Sequence, residues 1–218
     1  LLDALENIDF PELVKAMQLN WNGRSLGAHI VFPVDGEDSV IGAFTTRPDT
    51  IFGVTFVTLS PEHPLCESLV SGTEYEEGWR NLRDECAKMS EFERINMLKE
   101  KKGVPLGRFA INPLNGDRVP IYAGNFVVAS YGTGAVMAVP GHDERDHEFA
   151  MKFNLPILEV VSGGYVDVEA YTDNKNGVMV NSSNDTGLDL NGKSVKNAIQ
   201  DTILWLKNND KGTDKVQY

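Results

Sequence analysis

The stretch RVPIYAGNFVVASYGTGAVMAV, Arg118 to Val139, decides the fold class. It holds three short runs of β-formers, Arg118–Tyr122, Phe126–Ser130 and Ala135–Val139, parted by Gly124 and by Gly132-Thr133-Gly134. Short runs with turn chemistry between them specify hairpin-like strands rather than the strand–helix–strand alternation of a parallel sheet. The same texture lies upstream, where Ala28–Phe32, Val40–Thr45 and Val54–Leu59 cluster β-formers around a turn at Asp35-Gly36. Helical periodicity is confined to fewer places. Trp79, Leu82, Cys86, Met89, Phe92, Ile95 and Leu98 recur at spacings of three and four, which predicts one long helix over Tyr75–Lys101. Shorter helices are expected from about Asp143 to Phe153 and from Ser194 to about Lys207, with a broken amphipathic helix over Leu1–Gln18. Leu155–Val161 reads as a further strand and Gly163–Lys193 as mostly loop. The expected class is α+β, a mostly antiparallel, barrel-like sheet core with flanking helices.

The chain of 218 residues suits a single domain, and 41% hydrophobic residues can fill its core. The abrupt ends suggest a piece of a longer protein, with a linker helix at 1–20, a core at 21–207 and a return linker at 208–218. No apolar run approaches the ~20 residues of a membrane helix, and no basic leader precedes the acidic start. Cys66 and Cys86 have no metal-ligand spacing and read as reduced thiols. A net charge of −12 argues against a surface that grips long stretches of nucleic acid. A crevice that accepts one nucleotide end remains compatible with it.

Two runs carry candidate chemistry. In Phe44-Thr45-Thr46-Arg47-Pro48-Asp49-Thr50 a strand ends in two threonines and Pro48 forces a turn. Pro48 also holds Arg47 extended. Three hydroxyls, a guanidinium and a carboxylate within six residues suit the positioning of water and a polar substrate; an ordinary strand end with a capped turn is the plain alternative. The second run is Tyr131 to His147. Its Gly-Thr-Gly lacks the rest of a nucleotide fingerprint and suits a tight turn. In the helix expected from Asp143, Asp146 lies three, four and seven residues before Phe149, Ala150 and Phe153, so it faces inward with them. An inward carboxylate costs several kcal/mol unless paired, and its place near a helix N-terminus favours the ionised form. Such an anion is a ready acceptor for an ammonium, or else a structural acceptor of backbone or arginine hydrogen bonds. A metal reading of His142, Asp143, Asp146 and His147 is disfavoured, because no established ligand signature is present.

Thr45–Gly53 (TTRPDTIFG) and Gly132–Asp146 (GTGAVMAVPGHDERD) together resemble leucyl-tRNA synthetase of the bacterial or organellar type, specifically its inserted editing domain, connective polypeptide 1. Asn20-Trp21-Asn22-Gly23-Arg24-Ser25, Gly103-Val104 and Lys215-Val216-Gln217-Tyr218 extend the likeness over the whole chain, with Asn22 departing from a usually apolar position.

The resemblance implies hydrolysis of the aminoacyl ester on mischarged tRNA(Leu), carrying norvaline, isoleucine or similar residues, by a positioned water. Asp146 would bind the α-ammonium, and Thr45 and Thr46 would hold the terminal ribose or the water. Thr50 would guard the side-chain pocket against leucine; Met137 and Val139 would line that pocket, and Tyr131 would contact the terminal adenosine. Phe44, Arg47, His142, Asp143 and Arg145 are implied as supporting substrate contacts. A second sieve answers the problem that one apolar pocket discriminates by only ~1–3 kcal/mol. No metal or other cofactor is expected for editing; ATP and Mg²⁺ would belong to a synthetic domain whose signature motifs this sequence lacks. The implied partners are the 3′ end of aminoacylated tRNA(Leu) and the rest of a synthetase, in a monomeric protein of the bacterial cytoplasm or an organellar matrix. The rival readings are a non-catalytic adenosine- or amino-acid-binding module and a metal-dependent hydrolase.

Overall fold

The structure, a computed structural model, describes residues 25–96 and 100–217. The expected helix over 1–18, the motif before Ser25 and Leu98 lie outside the described residues. Strand β1 (Ser25–Pro33) turns at Asp35-Gly36 into antiparallel β2 (Val40–Thr45), with Phe32 opposite Ile41 and Ala28 opposite Thr45. On the other side of β1 lies β9 (Gly212–Gln217), also antiparallel, so the expected return linker is partly a strand. Alternation puts Ala28, Ile30 and Phe32 of β1 and Ile41 and Ala43 of β2 into the core.

A second sheet has the order β4-β5-β3-β6, formed by β4 (Gly103–Ile111), β5 (Arg118–Gly124), β3 (Phe56–Leu59) and β6 (Ala135–Ala138). Its β3–β5 pairing is parallel and the others antiparallel. A two-residue pair, β7 (Val161–Ser162) with β8 (Val178–Met179), is all that forms of the strand expected over Leu155–Val161. The class is α+β as expected, but among the described residues the sheets are open and no barrel closes. The edges that would have to join are β2 and β6, and β6 is only four residues long, ending at Ala138 just before Pro140. On the opposite side an isolated bridge, Val34 to Ala110, stands in place of a ladder. Among the described residues, no helix is long and apolar enough to cross a membrane.

The helices are α1 (Pro64–Val70), α2 (Glu76–Cys86), α3 (Glu91–Asn96), α4 (Glu144–Phe153) and α5 (Val195–Asn208). The long helix expected over Tyr75–Lys101 is therefore two. Trp79, Leu82 and Cys86 are buried on α2 as expected, whereas Phe92 and Ile95 on α3 are 68% and 61% exposed and Arg94 is the buried residue. A capping box restarts the helix: the Ser90 hydroxyl accepts from the Glu93 amide at 3.3 Å, and the Ser90 amide donates to the Glu93 carboxylate at 2.7 Å. Turned this way, Arg94 donates to the carbonyls of Asn125 and Val127 and to Glu62. Phe126–Ser130 forms a loop rather than a strand: the Arg94 guanidinium takes the Val127 carbonyl and the Tyr131 amide takes that of Val128.

Helix α4 is seated by aromatic packing. Phe149 stacks on Phe56 with ring centres 5.1 Å apart and meets Tyr122 edge-on at 5.3 Å. Asn154 in the left-handed conformation ends the helix. With Phe149 pinned beneath the sheet, Asp146 one turn earlier faces the end of β6.

Candidate functional site

Strand β2 delivers the first run to the edge of its sheet, and Arg47 organises the turn beyond it. The Arg47 amide donates to the Thr45 hydroxyl at 3.0 Å. Its carbonyl accepts from both the amide (3.2 Å) and the hydroxyl (2.8 Å) of Thr50. Its guanidinium grips Asp49, Nε to Oδ1 at 3.0 Å and Nη2 to Oδ2 at 2.8 Å. Pro48 then starts a 3-10 turn, Pro48–Gly53, in which every residue is buried. Asn112 pins that turn by donating to the Ile51 carbonyl at 2.8 Å.

The second run meets it from the other sheet. Gly132 and Gly134 both take positive φ, as the tight Gly-Thr-Gly turn requires. Thr133 between them donates to the Gly42 carbonyl of β2, which joins the two runs. Beyond β6, the Val139 amide donates to Asp146 Oδ2 at 2.8 Å, while the Val139 carbonyl accepts from the amides of His142 and Asp143. Asp143 caps α4, its carboxylate accepting from the Arg145 amide at 2.9 Å and the Asp146 amide at 3.1 Å.

Asp146 is 5% exposed, as its helical phase requires. Its ionisation differs from expectation. Burial and then the nearby Asp143 carboxylate push its carboxyl up to about 8, against the hydrogen bond from Val139. The favourable helix terminus is outweighed first by burial and then by the Asp143 carboxylate, which caps the helix and brings its own negative charge there.

His142 is committed to the backbone. Its Nε2 accepts from the amides of Val160 (2.9 Å) and Val161 (3.1 Å), so Nδ1 carries the proton and donates to the Tyr171 carbonyl at 2.9 Å. Burial holds this ring below the usual histidine range, with the Tyr171 carbonyl opposing. His147 likewise contacts the Val166 carbonyl at 2.9 Å. Both rings tie α4 to the segment C-terminal to it and leave no open nitrogen on His142 for a metal. Among the described residues, no group of three or more His, Cys, Asp or Glu side chains is arranged to hold a metal ion.

These elements enclose a cavity of about 160 Å³. Thr45, Thr46, Arg47 and Thr50 line it from the first run, with Phe44 behind them. Tyr131, Met137, Val139, His142, Asp143, Arg145 and Asp146 line it from the second, so every site residue expected from the sequence borders one space. Tyr131 (58% exposed), Thr46 and Arg145 stand toward solvent, and Asp146, Thr50, Met137 and Val139 are buried. Val136 also lines it and has no signal in the sequence, because strand alternation assigns Met137 and its same-side neighbours to the site and Val136 to the other face. Asp49 is visible in the sequence only as a turn carboxylate; its grip on Arg47 has no signal beyond their separation by two residues.

Comparison with known proteins bears on these residues. Residues 19–204 match the family model described as leucyl-tRNA synthetase, editing domain. The chain is 47% identical over 234 aligned positions to the leucine–tRNA ligase of Corynebacterium diphtheriae, covering 100% of this chain and 24% of that protein. Among solved structures it is similar to a LeuRS of Agrobacterium radiobacter in a ternary complex with tRNA and LeuAMS, with a TM-score of 0.72 and 33% identity over 100% of this chain and 23% of that one. The chain thus spans about a quarter of the length of the proteins it matches.

Proposed function

Since the chain belongs to the leucyl-tRNA synthetase editing-domain family, we propose that its cavity hydrolyses the aminoacyl ester of tRNA(Leu) charged with norvaline, isoleucine or a similar wrong residue. The observation that carries this reading is Asp146, a carboxylate buried in the cavity wall and held by the Val139 amide. A substrate α-ammonium is the cation that such a group suits. Ester, ribose and adenosine then extend outward past Thr45 and Thr46 to Tyr131 at the mouth.

The residues lining the cavity include no serine or cysteine to act as nucleophile. In this reading water attacks the ester carbonyl carbon, the carbon–oxygen bond to the ribose breaks, and the water's proton passes to the departing ribose oxygen. Free amino acid and tRNA result. Thr45 and Thr46 position the water and the ribose, and the gain comes from orientation and charge placement. Thr50 is nearly fully buried with its hydroxyl fixed to the Arg47 carbonyl, so it forms a rigid wall suited to excluding leucine. The reaction requires neither ATP nor a metal ion, and most tRNA affinity resides in the remainder of a synthetase.

The test is deacylation of norvalyl-tRNA(Leu) by the full-length protein that carries this sequence. Asp146→Ala is expected to lower the rate by at least ~100-fold, with EDTA leaving the unsubstituted rate unchanged. Thr50→Ala is expected to extend hydrolysis to leucyl-tRNA(Leu). Binding of the tRNA end without deacylation would establish the binding-module reading instead, and loss of rate in EDTA would establish a metal-dependent one.

A further inference from the structure

The Arg47–Asp49 pair joins a buried carboxylate to a partly exposed guanidinium. Asp49 is fully buried while Arg47 keeps 21% of its side chain exposed and lines the cavity. Both carboxylate oxygens are engaged, by Nε at 3.0 Å and by Nη2 at 2.8 Å. Among the described residues Arg47 Nη1 has no hydrogen-bond partner. A buried ion pair is a poor source of net stability, because the desolvation of both groups offsets their attraction. A two-point fork does fix the plane of a guanidinium, which a single contact does not.

Asp49 is also immobile. It lies in a 3-10 turn whose six residues are all buried and whose Ile51 carbonyl is pinned by Asn112. Arg47 in turn holds Thr45 through its amide and Thr50 through its carbonyl. One residue thus joins both threonines to the guanidinium, and the guanidinium is anchored from behind by Asp49.

We infer that Asp49 is a positioning residue of the site: it sets the plane of the Arg47 guanidinium at the cavity wall, so that Nη1 faces a polar or anionic group of the substrate. The substrate side of this inference rests on the deacylase reading; the hold of Asp49 on Arg47 stands apart from it.

The experiment has two readouts that separate these. In NMR spectra of the full-length protein, the Arg47 Nε–H is expected to be a sharp signal protected from exchange. Asp49→Asn is expected to remove that protection with the remaining amide signals in place; persistent protection overturns the inference. In deacylation of norvalyl-tRNA(Leu), Asp49→Asn is expected to lower kcat/KM by ~100-fold, as a misplaced contact does. In an Arg47→Ala background the same change is expected to add nothing. Additive losses overturn the inference, because they show Asp49 acting other than through Arg47. Should Asp49→Asn fail to fold, Arg47→Lys keeps the charge without the fork, and full activity in that variant overturns the inference equally. An unsubstituted protein that does not deacylate defeats the deacylase reading, while the Nε–H signal still decides whether Asp49 holds Arg47.

Discussion

At the scale of single residues, Asp146 presents a conflict between being buried and being charged. Its position one turn before Phe149 is dictated by helical phase, and the aromatic cluster around Phe149 makes that phase obligatory. The protein therefore carries a carboxyl whose ordinary range is near 3.8 raised to about 8. A raised carboxyl binds its proton more tightly in the folded than in the unfolded state. Its contribution to stability is full below the unfolded value and is lost as pH rises toward about 8. Asp146→Asn, which does not titrate, is expected to gain stability relative to the unsubstituted protein across that window. Urea unfolding at pH 5 and pH 8.5 checks it, and equal differences at both would mean that Asp146 is ionised throughout. That Asp146 faces inward was legible in the sequence; that Asp143 would cap the helix and set a second carboxylate beside it was not, because that depends on which carboxylate takes the free amides.

Among elements, α3 is the most consequential departure from the periodic pattern. Seven apolar residues at helical spacing favoured one helix, and the count of matches hid the Ser90-Glu91-Phe92-Glu93 capping box that divides it. The signal was present in the sequence but competed with a longer apolar stripe. Once the helix restarts, Arg94 (4% exposed) turns inward to donate to Asn125, Val127 and Glu62. The loop it holds leads directly to Tyr131 at the cavity mouth. Arg94→Ala leaves two carbonyls and a carboxylate without their donor, and is expected to cost ~3–5 kcal/mol, measurable as a lower urea midpoint. Loss of under about 1 kcal/mol would show that water replaces the guanidinium freely. Strand β4 was missed for a related reason. Pro105 and Gly107 argue against a strand, and the structure accommodates them in an irregularity between Pro105 and Phe109, with Gly107 at positive φ. Strands β1, β2 and β3 and helices α4 and α5, whose patterns carry no such interruption, were read within a few residues of their ends.

For the whole molecule, the sheets supply two converging edges and the charge supplies a constraint on what approaches them. The runs that meet at the cavity are separated in sequence by some eighty residues, and only the approach of β2 to β6, joined through Thr133 and Gly42, makes them one site. No periodicity in either run encodes that approach, which is why the barrel-like expectation overshot. A chain of net charge −12 repels the phosphates of any tRNA at long range. The cavity offsets this locally with Arg47, whose charge is shared with Asp49, and with exposed Arg145. Neutralising one or two phosphates of a single strand gives a salt slope of only about −0.7 to −1.4. Deacylation of a short aminoacylated acceptor stem by this chain is accordingly expected to change its KM by less than ~10-fold between 50 and 200 mM salt, against the ~10³–10⁵ of an extended phosphate binder. Arg145→Ala is expected to flatten that dependence further. A steep salt dependence in the unsubstituted chain would place a basic tRNA-binding surface where the charge balance argues there is none.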